Sequence, residues 1–270
     1  MPHFIQPCSP IPANSVPAGD GWLHELKLDG YRLQVAKDGP EVRLYSRRGH
    51  DWGKRLAALA EALQAIPVRS AILDAELCLL APDGTSDFAG LQAAMGSGRG
   101  DELAVLVFAF DLLHLDGQDL RPLPLTERRR QLERLLERAR VPRLLLVEAF
   151  EDGQALVEVA ERHGLEGVVS KRRLAPYRSG ECLDWRKVKT QSWSEANRER
   201  WTRVAWRAHH VDPSSEDHGL GECFLWWCKT QQIFLRQVMA AAGASPLPRT
   251  PTRAGWPGSS RPAGSDRDAC

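Results

Sequence analysis

No apolar run in this sequence approaches the roughly 20 residues that cross a bilayer, and Met1 to Ser15 lacks the charged start and apolar stretch of a secretion signal. A cytoplasmic protein with no membrane partner is expected. Cysteine is sparse: Cys8, Cys78, Cys182, Cys223, Cys228 and Cys270 are scattered and form no dense framework, which fits a reducing compartment. Excess charge is absent as well. Lys and Arg total 36 against 35 Asp and Glu, a net charge of +1, so no global field draws nucleic acid and any such binding must come from a local patch. Also missing are Gly-x-Gly-x-x-Gly and Gly-x-x-x-x-Gly-Lys-Ser loops, so neither a dinucleotide fold nor a P-loop accounts for nucleotide use.

What is present is an ordinary globular composition over 270 residues, 43% hydrophobic and 26% charged, enough for one large or two small domains. From Gly21 to about Thr190 apolar residues alternate densely with polar ones between turn signals. The alternation predicts strands near 22–27, 31–36, 41–46, 71–79, 104–111, 144–149 and 166–171, and helices over 52–65, 126–139 and 153–163. Thr126 is the expected cap of the second helix, with Arg129 and Arg130 outward and Leu132, Leu135 and Leu136 as its core stripe. Many strands, short turns and flanking helices argue for an α+β domain with antiparallel sheets. The expected partition is a domain over 1–190, an amphipathic helical extension over 191–207 and a poorly defined tail over 208–270, since Ala241 to Cys270 is mostly Ala, Gly, Pro, Ser and Arg. In that tail His209, His210, His218, Cys223 and Cys228 match poorly the tight ligand pairs of zinc modules.

The chemistry concentrates in short motifs. Glu25-Leu26-Lys27-Leu28-Asp29-Gly30-Tyr31-Arg32 places a lysine between two acids at a strand end, before a glycine turn. A free lysine amine, with a pKa of about 10.4, becomes a nucleophile only where its surroundings favour the neutral form. Ser46-Arg47-Arg48-Gly49 offers a guanidinium fork for phosphate. Asp74 and Glu76 share one strand face by the period of two, and Phe110-Asp111 ends an apolar strand. Glu166 enters a strand that Lys171 leaves, and Lys187 and Lys189 lie on one face of Trp185-Arg186-Lys187-Val188-Lys189, within a basic run from Lys171. Together these are the parts of a phosphoryl-transfer site: a nucleophile, carboxylates for magnesium, an aromatic face for a base and cations for a triphosphate.

In this order and spacing the motifs resemble the covalent nucleotidyltransferase superfamily, and most of all the bacterial ATP-dependent DNA ligases of the end-joining type. The resemblance covers Pro2 to about Thr190 and is carried by the octet and by Phe110-Asp111-Leu112-Leu113-His114-Leu115-Asp116-Gly117, Glu166-Gly167-Val168-Val169-Ser170-Lys171-Arg172 and Pro176-Tyr177-Arg178-Ser179-Gly180. It implies a ligase adenylation domain using ATP with Mg2+ or Mn2+. Lys27 would attack the α-phosphorus of ATP and hold AMP as a phosphoramidate. Glu25 would contact the adenine edge, Phe110 would stack on its face, and Arg32 and Glu76 would hold the ribose. Arg47 would meet the 5′-phosphate of a nick or a phosphate of the nucleotide. Glu166, with Asp29 or Asp74 nearby, would position the metal, and Lys187 and Lys189 would grip the α-phosphate. The implied substrate is nicked or broken duplex DNA. Full-length relatives continue into an OB-fold barrel, which the residues after Thr190 do not resemble, so a DNA-end-binding protein is an expected supplier of the clamp. An RNA ligase or capping-type enzyme, and a non-catalytic nucleotide-binding or nucleic-acid-binding remnant, are the alternatives.

Overall fold

The alternation that predicts strands builds two sheets in the computed structural model, which describes residues 4–82, 84–98 and 104–198. The first sheet runs in the order β1 (Cys8–Pro12), β11 (Gly180–Lys189), β10 (Gly167–Arg172), β2 (Trp22–Lys27), β9 (Ala149–Phe150). The second runs β4 (Glu41–Ser46), β3 (Tyr31–Asp38), β5 (Ser70–Cys78), β6 (Leu106–Leu115), β7 (Gln118–Asp119), with β8 (Leu144–Leu146) also pairing β6. All pairs are antiparallel except β1 with β11 and β6 with β8.

Period-two alternation gives each sheet two faces with different duties. On β5, Leu73, Ala75 and Leu77 join a core with Leu59 and Leu63 of α1 (Ala57–Leu63), Leu91 and Met95 of α2 (Phe88–Ser97), and Leu132 and Leu135 of α3 (Leu125–Ala139). The other face of that sheet meets the first sheet through Ile72, Cys78, Phe108 and Phe110 against Cys8, Tyr177, Cys182 and Trp185. Helix α4 (Gly153–Arg162) covers the far side of the first sheet, packing Leu156 and Val159 on Phe150 and Val168. The space between the two sheets is left for the site.

Several expectations are corrected. The helix expected from 52 begins at Ala57, because a turn occupies the preceding residues: Asp51 accepts from the Gly53 N–H, and the Trp52 carbonyl accepts from Arg55 and Leu56. Thr126 does not cap α3. Pro124 stands at the cap position, and the free N–H groups of Leu125 and Thr126 donate to the carbonyls of Ala175 and Arg173 instead. Arg129 is buried rather than outward, whereas Arg130 pairs with Glu127 near the surface. Asp111 lies inside β6, not at its end. The strand expected over 144–149 is split between β8 on the second sheet and β9 on the first, so the chain crosses between the sheets there.

Strands β1, β7 and β11 and helix α2 have no counterpart among the expected elements. Pro10 and Pro12 disguise β1, and proline is tolerated there because β1 is an edge strand. The extension is helical over 191–198. The remainder of the expected 191–207 helix, the 208–270 tail, its His and Cys pattern and the expected lack of a following barrel lie outside the described residues.

Candidate active site

The register of the first sheet assembles the site. Gly167 on β10 stands between Lys27 on β2 and Lys189 on β11, and the next row on the same face is Glu25, Val169 and Lys187. Gly167 has φ +150, and a Cβ there would lie 2.0 Å from the Val188 carbonyl oxygen, so no side chain fits between the two lysine-bearing strands. Glu166, one residue earlier, therefore reaches both amines: its Oε2 accepts from Lys27 Nζ at 2.6 Å, and its Oε1 lies 3.2 Å from Lys189 Nζ. Lys189 also rests over the Trp193 ring at 4.2 Å, and Trp193 Nε1 donates to Asp29 at 3.3 Å.

The chain passes from the first sheet to the second between β2 and β3, at Gly30. A Cβ there would meet the Leu77 carbonyl oxygen at 2.3 Å, so the crossing hugs β5. Arg32 then pairs with Glu76 across the ladder. Its guanidinium donates bidentately to Asp74, Nε to Oδ1 and Nη2 to Oδ2, both at 2.6 Å. Phe110 has no partner in the β5–β6 register, where Asp74 faces Asp111 and Ala75 faces Ala109, so it is the extra residue of a bulge. Such bulges re-aim side chains, and this one turns Phe110 to the cavity. Its ring is engaged by Arg32, 4.5 Å from the centroid, and by Lys171, 4.3 Å away, so a base can stack there only if a cation yields.

Between the sheets lies a cavity of about 810 Å3 walled by Glu25, Lys27, Val169, Lys171, Trp185 and Lys187 on one side and Arg32, Glu76 and Phe110 on the other, with Arg47, Arg48, His50 and Ser9 at one end. That is within the range of small-molecule and cofactor sites. Its charge is unbalanced. Burial lowers the pKa of Lys187, and Lys27, Lys189 and Arg47 push it down further, with Glu166 the opposing carboxylate. An anion would relieve that repulsion. Glu25 is ion-paired to Lys171 at 2.5 Å and Arg129 at 2.8 Å, all three side chains being buried.

Of the residues expected at the site, Glu25, Lys27, Arg32, Arg47, Glu76, Phe110 and Lys187 line the cavity. Glu166 and Lys189 flank Lys27 without lining it. Asp29 is turned towards Trp193, with Glu166 near enough to add to the burial that raises its pKa. Asp74 is the misplaced one: fully buried, it gives its oxygens to Arg32 and Tyr177, and it does not face the cavity. No group of three or more metal-ligating side chains forms among the described residues. Arg129 was missed, although Leu125, Arg128, Arg129 and Leu132 fall at the spacing of a buried helix face, which marks both arginines as inward. Lys171 was visible in sequence as the end of a strand, without its contact to Glu25.

Glu76 carries a testable cost. Burial pushes its pKa up to about 7, against the pull of Arg32 and Lys27. Between about pH 4.5 and 7 the folded protein keeps a proton that the unfolded chain releases, so stability falls as the pH rises through this window. A shift of that size corresponds to about 3 kcal/mol once ionisation is complete. Glu76→Gln is expected to raise the Tm by several degrees over wild type at pH 8 and to lose that advantage at pH 5. Parallel Tm profiles for the two proteins would show that the carboxyl ionises freely.

A surplus of cations around a lysine suits nucleotidyl transfer. Residues 5–189 match the family model described as ATP dependent DNA ligase domain, and the chain belongs to that family. It is 42% identical over 192 residues to the multifunctional non-homologous end joining protein LigD of Pseudomonas aeruginosa, covering 71% of this chain and 22% of that protein. To a probable DNA ligase of Sorangium cellulosum it is 41% identical over 204 residues, covering 69% and 38%. The chain thus spans well under half the length of these curated relatives. Among solved structures, the ligase domain from M. tuberculosis LigD superposes with a TM-score of 0.58 at 34% identity, over 68% of this chain and 60% of that one. A mycobacterial DNA ligase D complexed with ATP and MES gives 0.56 at 35% identity, over 68% and 59%.

Proposed function

We propose that this chain is the adenylation domain of an ATP-dependent DNA ligase, in which Lys27 takes AMP from ATP and passes it to the 5′-phosphate at a break in duplex DNA. The row Lys27, Gly167, Lys189, with Glu166 against both amines, supports the reading, since the Lys27 amine lies against a carboxylate in a site where Lys27, Lys189 and Arg47 repel Lys187 and Glu166 alone opposes them among the groups that act on it. Attack by Nζ forms a nitrogen–phosphorus bond and breaks the bond from the α-phosphorus to the pyrophosphate oxygen. The ammonium must first lose a proton, and Glu166 Oε2 is the acceptor in contact with it. Lys187, with Lys189 beside it, stabilises the charge that grows on the α-phosphate oxygens, and Arg47 offers its fork to a phosphate of the nucleotide or of the nick. Glu25, fixed by Lys171 and Arg129, keeps acceptor capacity for the adenine amino group.

Glu166 with Asp29 beside it would hold a Mg2+ or Mn2+ ion, since such ions are commonly bound through one or two carboxylates and the substrate phosphates. When bound, the ion would supply further neutralisation of phosphate charge. Asp74 does not fit that role, because it is fully buried, is held by Arg32 and Tyr177 together and does not line the cavity.

Intact-mass analysis after incubation with ATP or GTP tests the reading. One added AMP per chain, mapped to Lys27 by peptide sequencing, is expected. No adduct with ATP, or an adduct with GTP alone, would overturn it.

A further inference from the structure

We propose that Tyr177 is a positioning residue of this site: its phenol fixes Asp74 and, through it, aims the Arg32 guanidinium at the nucleotide ribose. The inference rests on the adenylation reading above and adds to it a residue that touches neither cavity nor nucleotide.

Tyr177 belongs to the turn that joins β10 to β11, far in sequence from the strands it serves. Its hydroxyl donates to Asp74 Oδ2 at 2.6 Å and accepts the backbone N–H of Cys8 at 2.8 Å. The ring is buried and set edge-on to Trp185, 5.9 Å between centroids, and Trp185 in turn stands edge-on to Phe110 at 6.1 Å. Tyr177 is absent from the cavity wall. Burial, reinforced by the Asp74 charge, pushes the phenol pKa far up, so the group is a donor at every working pH.

The consequence falls on Arg32. With Nε and Nη2 held by the two oxygens of Asp74, Nη1 is the nitrogen with no hydrogen bond among the described residues, and Arg32 lines the cavity. Nη2 also donates to the Cys8 carbonyl at 3.4 Å, so of the five N–H groups of the planar fork the two on Nη1 are those left to donate. The phenol removes the remaining freedom of the anchor, because Asp74 Oδ2 then accepts from Arg32 and Tyr177 together. It also ties β1 into the same point through Cys8. Without the hydroxyl, the Cys8 N–H and one lone pair of Asp74 are orphaned in the interior, and the carboxylate is free to turn.

Tyr177→Phe deletes that one atom. Single-turnover adenylation is measured with ATP and with 2′-deoxyATP and 3′-deoxyATP, because ribose hydroxyls are what an aimed guanidinium distinguishes. The ratio of kcat/KM for ATP to that for the deoxynucleotides is expected to shrink about tenfold in the variant, through loss on the ATP side. A purely structural role would lower the Tm and slow all three nucleotides alike, leaving the ratio intact. An unchanged ratio in a folded, adenylating Tyr177→Phe protein sinks the inference and leaves the proposed function standing. Absence of any adduct in the wild type sinks that function instead. Should Tyr177→Phe not fold, Asp74→Asn examines the same anchor from its other side: it is expected to compress the ratio likewise, and an unaltered ratio there also overturns the proposal.

Discussion

Lys27→Arg is expected to abolish formation of the AMP adduct, with a loss of at least about a thousandfold in adenylation rate, while the Tm stays near that of wild type. The substitution keeps a cation within reach of Glu166, so the buried carboxylate retains a partner besides Lys189. It removes the chemistry, because a guanidinium does not deprotonate in a protein and offers no lone pair to phosphorus. Lys27→Ala would lose the adduct too, but it would also leave Glu166 with Lys189 alone and so mix a charge defect with the chemical one. A second measurement separates the steps. A nicked duplex already carrying 5′-AMP needs no lysine nucleophile, so Lys27→Arg is expected to seal it slowly, at a rate comparable with wild type. Equal adduct formation by Lys27→Arg and wild type would place the reactive amine elsewhere.

Convergence on Lys27 was legible in sequence as spacing, and what the spacing could not convey was register. β2 and β4 are found at their expected limits and β3 and β5 within two residues of theirs, because strict alternation between glycine turns leaves little choice. That Glu166 touches Lys27 follows from Gly167 lying opposite both Lys27 and Lys189, a cross-strand relation between residues far apart in the chain. Asp74 shows the limit most plainly. Its parity with Glu76 follows from the strand period, yet parity does not say which partner waits on that face, and Arg32 and Tyr177 claim Asp74. Arg128 and Arg129 fall at the spacing of the buried face of α3, but their residue type argues against that position. An arginine on an amphipathic helix ordinarily lies outside, and only buried carboxylates on neighbouring strands, Asp111 and Glu25, make the inward position tolerable.

The second large effect concerns that buried charge. Arg128 donates Nε and Nη2 to the two oxygens of Asp111 at 2.8 Å, and both side chains are fully buried. Asp111 faces Asp74 across the β5–β6 ladder, so two carboxylates are tolerated side by side because each has its own guanidinium. Arg128→Met is expected to strand one of them, at a cost of about 3–5 kcal/mol, which is comparable with the whole stability of many domains. In urea the midpoint should fall steeply at unchanged slope. The double variant Arg128→Met/Asp111→Asn removes the stranded charge and is expected to recover most of the loss; a double variant no more stable than the single would show that the guanidinium matters through its other bonds, from Nη1 to the carbonyls of Leu123 and Ala175. The bond to Ala175 holds the turn that carries Tyr177, and Asp111 follows directly on the bulged Phe110. The pair therefore couples fold to site: a double variant restored in stability but slow in adenylation would mean that Phe110 and Tyr177 depend on Arg128 for their place.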